Sequence, residues 1–212
     1  SQGYLNLIYG SGSGLDTNQS VAISQAGPVA GVAEAGDEFA ASLTAGDLNG
    51  DGFDDLVLGA PGEAFGSTNN IGVLHVLSGT PGGLTTNGNY SIAQGTGSPG
   101  ASEVNDRFAE SLASGDINGD GFVEIAALSY LDERLVVLMG DPDHHFTRTI
   151  EIPVPYYDLT RIYTYGRNQP LACADTDQDS RHEIYFLHED DQGWPAIYQY
   201  AIQSVSAGPP VT

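Results

Sequence analysis

The amino-acid sequence predicts an all-β fold made of β-propeller blades, each of four antiparallel strands. Three observations carry this expectation. The segment DEFAASLTAGDLNGDGF at 37–53 returns as DRFAESLASGDINGDGF at 106–122, identical at twelve of seventeen positions and offset by 69 residues. The same offset relates GYLNLIYGSGSGL at 3–15 to GVLHVLSGTPGGL at 72–84, so two separate segments share one period. No stretch of useful length has helical periodicity; short apolar runs alternate instead with Gly/Pro-rich turns. A third, weaker copy, LACADTDQDSRHEIYF at 171–186, follows the second by 59 residues. A repeat of this length is one supersecondary unit that buries its faces against its neighbours. A sandwich of short strands would not place the same acidic loop at the same point of every repeat.

Within a repeat, apolar alternation over 39–45 leads into the acidic loop, and the apolar run 56–60 follows as the next strand. A third strand is expected at 73–77, then a Gly/Pro turn, then a weaker fourth strand at 90–93. The run Gly10-Ser11-Gly12-Ser13-Gly14 lacks the Lys and following helix of a phosphate-binding loop, and like its equivalent at 79–83 it reads as a hairpin turn. The chain starts out of phase, because its first strand, 3–9, corresponds to the third strand of a blade, and 197–202 reads as the third strand of the last one. The period thus divides the chain into a partial blade at 1–35, blades with acidic loops at 36–104 and 105–159, and a partial blade with an acidic loop at 160–212. Propellers typically close with four to eight blades. Ring closure is therefore expected to draw on further sequence or on another chain, and a second copy could supply the missing strands at each seam.

The loops have the pattern of oxygen-donor metal sites. The first presents Asp47, Asn49, Asp51 and Asp55 around Phe53; the second Asp116, Asn118, Asp120 and Glu124 around Phe122; the third Asp175, Asp177, Asp179 and Glu183 around Arg181. Side-chain oxygens at loop positions 1, 3 and 5 wrap a hard cation, position 7 adds its backbone carbonyl, and a carboxylate at position 9 closes the shell. Such ligands favour Ca²⁺ over zinc or copper, and no Cys or His holds a ligand position. Gly52 and Gly121 occupy position 6, where a sharp turn calls for positive φ; the third loop has Ser180 there, and a third Asp in place of Asn. An EF-hand starts alike but needs a bidentate Glu at position 12, where this chain has Leu58, Ala127 and Phe186. Ordinary Asp/Gly turns are the plainer reading of any one loop, and three such loops in register argue against it.

With these residues in view, Phe39-Ala40, the loop GDLNGDGFDD and Leu58-Gly59-Ala60-Pro61 resemble the FG-GAP repeat of the integrin α-subunit propeller. The second copy keeps Phe108-Ala109 and the loop but has Leu128-Ser129-Tyr130 where Gly-Ala-Pro would stand, and the third has Arg167 in place of the Phe. The resemblance implies a seven-bladed propeller with Ca²⁺ in loops between the first two strands of certain blades, all on one face. It also implies extracellular adhesion or ligand recognition. The family includes secreted bacterial proteins, lectin-like propellers and domains appended to enzymes, and fold likeness alone does not choose among these.

The charge balance agrees with a cation-binding surface. The chain has 28 acidic residues against 6 basic ones, all Arg, for a formal net charge of −22. That surface repels nucleic acid and anionic lipid. No apolar run approaches the length of a membrane span. No basic start followed by an apolar segment marks a secretion signal, so a signal is expected to have been removed or to lie outside these residues. The lone Cys173 sits in an apolar stretch and reads as an inert core thiol. The groups Asp141, Asp143, His144, His145 and His188, Glu189, Asp190, Asp191 match no nucleophile or zinc pattern, and read as solvated turns. Tyr156, Tyr157, Tyr163, Tyr165, Trp194, Tyr198 and Tyr200 gather in the last third; Trp194 and the Tyr156-Tyr157 pair are candidates for stacking on a sugar or a partner's apolar side chain. Asn18-Gln19-Ser20 and Asn89-Tyr90-Ser91 fit the glycosylation sequon. The expected protein is a non-catalytic, extracellular, calcium-binding module that recognises a protein or glycan. A carbohydrate-binding propeller, or the non-catalytic part of a larger secreted enzyme, is the alternative.

Overall fold

A computed structural model describes residues 2–27, 29, 31–64, 68–95, 97–98, 101–129, 134–141, 146, 148–153, 171–189 and 195–200. Among the described residues the chain forms fourteen strands and no helix. The Gly-Ser-Gly run of the first repeat makes the expected hairpin: β1 (Leu5–Ser11) and β2 (Gly14–Ile23) pair antiparallel with Ser11 opposite Gly14, and Gly14 has φ +114°. The second sheet runs β3 (Ser42–Gly46), β4 (Asp55–Ala60), β5 (Val73–Ser78) and β6 (Thr85–Gln94), each antiparallel to the one before. The short β7 (Gly97–Ser98) adds a parallel fifth strand at its edge. The third sheet is β8 (Ser111–Gly115), β9 (Glu124–Ser129), β10 (Arg134–Leu138) and β11 (Thr149–Pro153). The fourth is β12 (Leu171–Ala174), β13 (Glu183–Glu189) and β14 (Pro195–Tyr200). Four-stranded antiparallel meanders stacked face to face are propeller blades, and the innermost strands β3, β8 and β12 lie side by side in that order.

Side chains alternate between the faces of a strand, so a strand packed between two other sheets must be apolar throughout. β5 (VLHVLS) and β9 (EIAALS) come close to that demand, with all but Ser78 buried and only His75, Glu124 and Ser129 polar among the buried residues. One face of the second sheet sends Val57, Leu74, Val76 and Ile92 against Phe108, Leu112, Ile125, Val136 and Leu138 of the third. Its other face joins Ile23, Val29 and Phe39 through Leu58 and Leu77. Ile117, Leu128, Leu135 and Val137 meet Ile184 and Phe186 of the fourth sheet. Burying each such side chain contributes about 1.5–3 kcal/mol, and the seams between blades collect most of it.

The strand expected from residue 39 begins only at Ser42. Phe39-Ala40 instead form a turn, with Glu38 at φ 57° and Ala40 at φ 62°; 69 residues on, Arg107 and Ala109 repeat it at 51° and 63°. The turn is a joint between blades. Phe39 N–H donates to the Gln2 carbonyl at 3.1 Å and Phe108 N–H to the Ile71 carbonyl at 2.9 Å. Gly3 and Gly72 lie under these turns, where a Cβ would come within 2.2 Å of the Phe39 or Phe108 carbonyl oxygen. The apolar alternation of 39–45 was thus real, but its Phe serves as a buried wedge rather than a strand residue. The fourth strand is longer than expected, because β6 starts at Thr85 after an irregularity between Val76 and Ser78. Tyr130, Asp143, His144, His145, Tyr156, Tyr157, Tyr163, Tyr165, Arg167, Asp190, Asp191, Trp194 and residues 201–202 lie outside the described residues.

Candidate metal centres

Each acidic loop joins the first and second strands of its sheet: β3 to β4, β8 to β9, β12 to β13. All three fold through the same hydrogen bonds. The position-1 carboxylate accepts the N–H groups of positions 5 and 6: Asp47 from Asp51 (3.0 Å) and Gly52 (2.9 Å). Asp116 accepts likewise from Asp120 (3.1 Å) and Gly121 (3.0 Å), and Asp175 from Asp179 (3.2 Å) and Ser180 (3.1 Å). The position-3 oxygen of Asn49, Asn118 or Asp177 also accepts from the position-5 N–H. The position-5 carboxylate accepts from the N–H of Phe53, Phe122 or Arg181 at 2.9 Å in every case. Short acidic side chains bonding backbone two to five residues ahead are what curl the loop. The side chains of positions 1, 3 and 5 are thereby drawn to one side of each turn.

The third loop carries the densest charge. Ligand oxygens of Asp175, Asp177 and Asp179 lie within 4.8 Å of one another, a grouping able to hold a metal ion. In the first two loops Asn49 and Asn118 take the middle place, and each amide donates to the position-5 carboxylate, Asp51 at 3.1 Å and Asp120 at 2.9 Å. Arg181 adds something its loop position did not suggest: its guanidinium reaches Asp179 Oδ2 at 2.6 Å and so competes with a cation for that carboxylate.

Position 9 works beneath the loop. Asp55 is wholly buried, and its oxygens accept from Leu48 N–H (3.1 Å) and Gly79 N–H (2.8 Å). Glu124, equally buried, accepts from Ile117 (2.8 Å), Asn118 (3.2 Å) and Gly140 (3.3 Å). Glu183 accepts from the N–H and hydroxyl of Thr176. The first two of these carboxylates therefore fasten the loop's start to the end of the third strand, at Gly79 after β5 or Gly140 after β10. Each oxygen has two lone pairs, so this does not prevent it from also facing a cation. Burial pushes Glu124 up to about 7, against the pull of the hydrogen bond from Ile117. A buried carboxylate so disfavoured as an anion fits a neighbouring cation, as does a donor set of oxygen alone.

The expected strain at position 6 is present: Gly52 and Gly121 have φ +88° and +91°, and Ser180 takes +71°. Position 4 has it too, unforeseen in the reading of the loops. Gly50 and Gly119 lie at φ +73° and +78°, and Gln178 at +62°. Cys173 packs against the third seam with its thiol pushed up to about 12 by burial, which keeps it protonated and unreactive.

A second polar group, without loop spacing, lies in the seam between the first two sheets. Gln25, Glu63 and His75 are all buried, Gln25 Nε2 donating to Glu63 at 2.7 Å and lying 3.4 Å from His75 Nε2. Burial raises Glu63 and brings His75 down to about 4. The signal available for it was the recurrence of a glutamine at equivalent places, Gln25 just past β2 and Gln94 at the end of β6, 69 residues apart.

The sequence profile of the FG-GAP repeat matches residues 39–77. That segment runs from the buried Phe39 through the first acidic loop and β4 to β5, so this stretch is similar to an FG-GAP repeat, a unit that folds as propeller blades, in keeping with the antiparallel sheets seen here.

Proposed function

We propose that this chain is a calcium-stabilised propeller module that works outside the cell as a recognition scaffold for a protein ligand. The observation supporting it most directly is the threefold recurrence of one hydrogen-bonded acidic loop at one place in successive blades, within an FG-GAP context. In this reading Asp47, Asn49 and Asp51, Asp116, Asn118 and Asp120, and Asp175, Asp177 and Asp179 hold the ions. Phe53, Phe122 and Arg181 supply backbone carbonyls, and Asp55, Glu124 and Glu183 close the shells from below. The ion supplies positive charge where clustered carboxylates would otherwise repel. The role is structural, and the module has no catalytic residues of its own. The absence, among the described residues, of any helix long and apolar enough to cross a membrane is compatible with this setting.

Extracellular calcium modules bind with Kd of roughly 10⁻⁴–10⁻³ M. At ten times Kd each site adds about 1.4 kcal/mol. For a chain of this size three such sites raise the melting temperature by roughly 8–16 °C. Thermal unfolding in chelator and in millimolar calcium tests this; coincident curves would remove calcium from the function.

A further inference from the structure

The loops touch one another in a regular way. A Cβ placed on Gly50, at position 4 of the first loop, would lie 3.0 Å from Cε1 of Phe122, at position 7 of the second. One on Gly119, at position 4 of the second loop, would lie 2.8 Å from Cγ of Arg181, at position 7 of the third. The next residue repeats the pattern at the strand ends. A Cβ on Gly46 would lie 2.9 Å from Cγ1 of Val123, and one on Gly115 would lie 2.8 Å from the ring of His182. Between the second and third loops there is also a backbone bond, His182 N–H to the Asp116 carbonyl at 2.8 Å. Each position-4 residue stands between the position-3 and position-5 side chains of its own loop, and each position-7 N–H is held by its own position-5 carboxylate.

We propose that neighbouring calcium loops are positively coupled, the position-7 side chain of one loop bracing the position-4 glycine of the loop before it. This rests on the reading of the loops as calcium sites. A cation that gathers positions 5 and 7 of the second loop fixes the stem of Phe122, and so the floor on which Gly50 must hold its positive φ. Filling the first loop orders Gly50 and in turn seats Phe122, since coupling between sites is reciprocal. Charge acts the other way, because each ion bound lessens the negative field felt by its neighbour. These loops are exposed to solvent, and at physiological salt the screening length is about 8 Å. Salt damps that opposing field, whereas the contact acts at van der Waals range and is not screened.

Native mass spectrometry of the whole chain, titrated with calcium at near-physiological ionic strength, separates chains carrying zero, one, two and three ions. Against the binomial distribution of identical independent sites at the same mean occupancy, unequal affinities can only enrich the one- and two-ion species, so positive coupling is read as those species depleted below it. Partly filled species at or above the independent distribution would overturn the proposal. No uptake at all would instead overturn the calcium reading beneath it. Two variants locate the effect. Asp47→Asn with Asp51→Asn keeps amide oxygens for the backbone while emptying the first loop, and should weaken the second loop's affinity by about 5-fold or more. Phe122→Ala should abolish that dependence, with circular dichroism showing that the sheets are intact; an undiminished dependence would assign the coupling elsewhere and overturn the route proposed.

Discussion

The seam between the first two sheets and the seam between the second and third are built by the same repeat, yet they are filled differently. Phe108 in the second seam sits among aliphatic side chains, with Val136 on β10 and Phe146 in the same cluster. Phe39, its equivalent in the first, meets the ring of His75 on β5 at 5.6 Å between centroids. The two places correspond, since His75 pairs with Leu58 and Val136 pairs with Ala127, the residue 69 places after Leu58. The first seam thus buries an imidazole, His75, where the second buries the hydrocarbon of Val136, while each buries a glutamine, Gln25 or Gln94. The lesson is that the blade's backbone, not the chemistry of its faces, is what repeats. A polar seam should respond to pH where an apolar one responds only to lost volume.

The largest expected contrast comes from emptying the wedges. Phe108→Ala should destabilise the chain by about 3–5 kcal/mol, and Phe39→Ala should fall at or below the lower end of that range, because fewer apolar groups surround it. Urea unfolding in saturating calcium measures both, and equal losses would erase the distinction.

Acid should act on the first seam. His75 is held near pH 4 in the fold against 6.5 when free, so the unfolded chain takes up its proton first as pH falls. The stability attached to neutral His75 is complete above about 6.5 and is lost progressively down to about 4, roughly 3 kcal/mol in all. Glu63 opposes this: its raised value means the folded chain is favoured by protonation and loses stability as pH rises through it. The clean reading is therefore the difference between the natural chain and His75→Val, which copies the second seam. Denaturation midpoints of the two that keep a constant gap from pH 7 to 4 would sink the assignment.

The smallest effect belongs to the ion pair that crosses between equivalent turns, Arg107 to Glu38. Glu38 is partly exposed, and Arg107 keeps Glu110 as a second partner at 3.2 Å. Glu38→Ala should cost about 0.2–1 kcal/mol and become weaker still in high salt. A double-mutant cycle with Arg107→Ala isolates the pair; a coupling well above that range would show a third group in the network.

How much of this could be read from the sequence differs with the kind of interaction. The acidic loops were legible because their geometry is local: the alternating spacing of the acidic and amide side chains, and the Gly at position 6 of the first two, are written within nine residues. The blade pattern was legible because the period repeats. Position 4 was written in Gly50 and Gly119 but not in Gln178, which adopts φ +62° without being a residue that advertises it. The fastening role of Asp55 and Glu124 was not, because Gly79 and Gly140 reach them from another strand. The Gln25–Glu63–His75 group was hidden for the same reason, its members lying 38 and 50 residues apart. Alternation at 39–45 misled, since apolar spacing does not distinguish a strand from a buried turn.

The joint between blades has one more consequence. Phe39 N–H meets Gln2 O, Phe108 N–H meets Ile71 O, and Arg107 N–H meets Asn70 O, all main chain to main chain. The joint between blades is thus made by atoms that every residue type except proline possesses. Seam side chains set how strongly one blade holds the next, while these bonds keep its position, provided Gly3 and Gly72 stay bare. A fold jointed this way is free to vary its interior as well as its surface, and the imidazole of the first seam is an instance of that latitude.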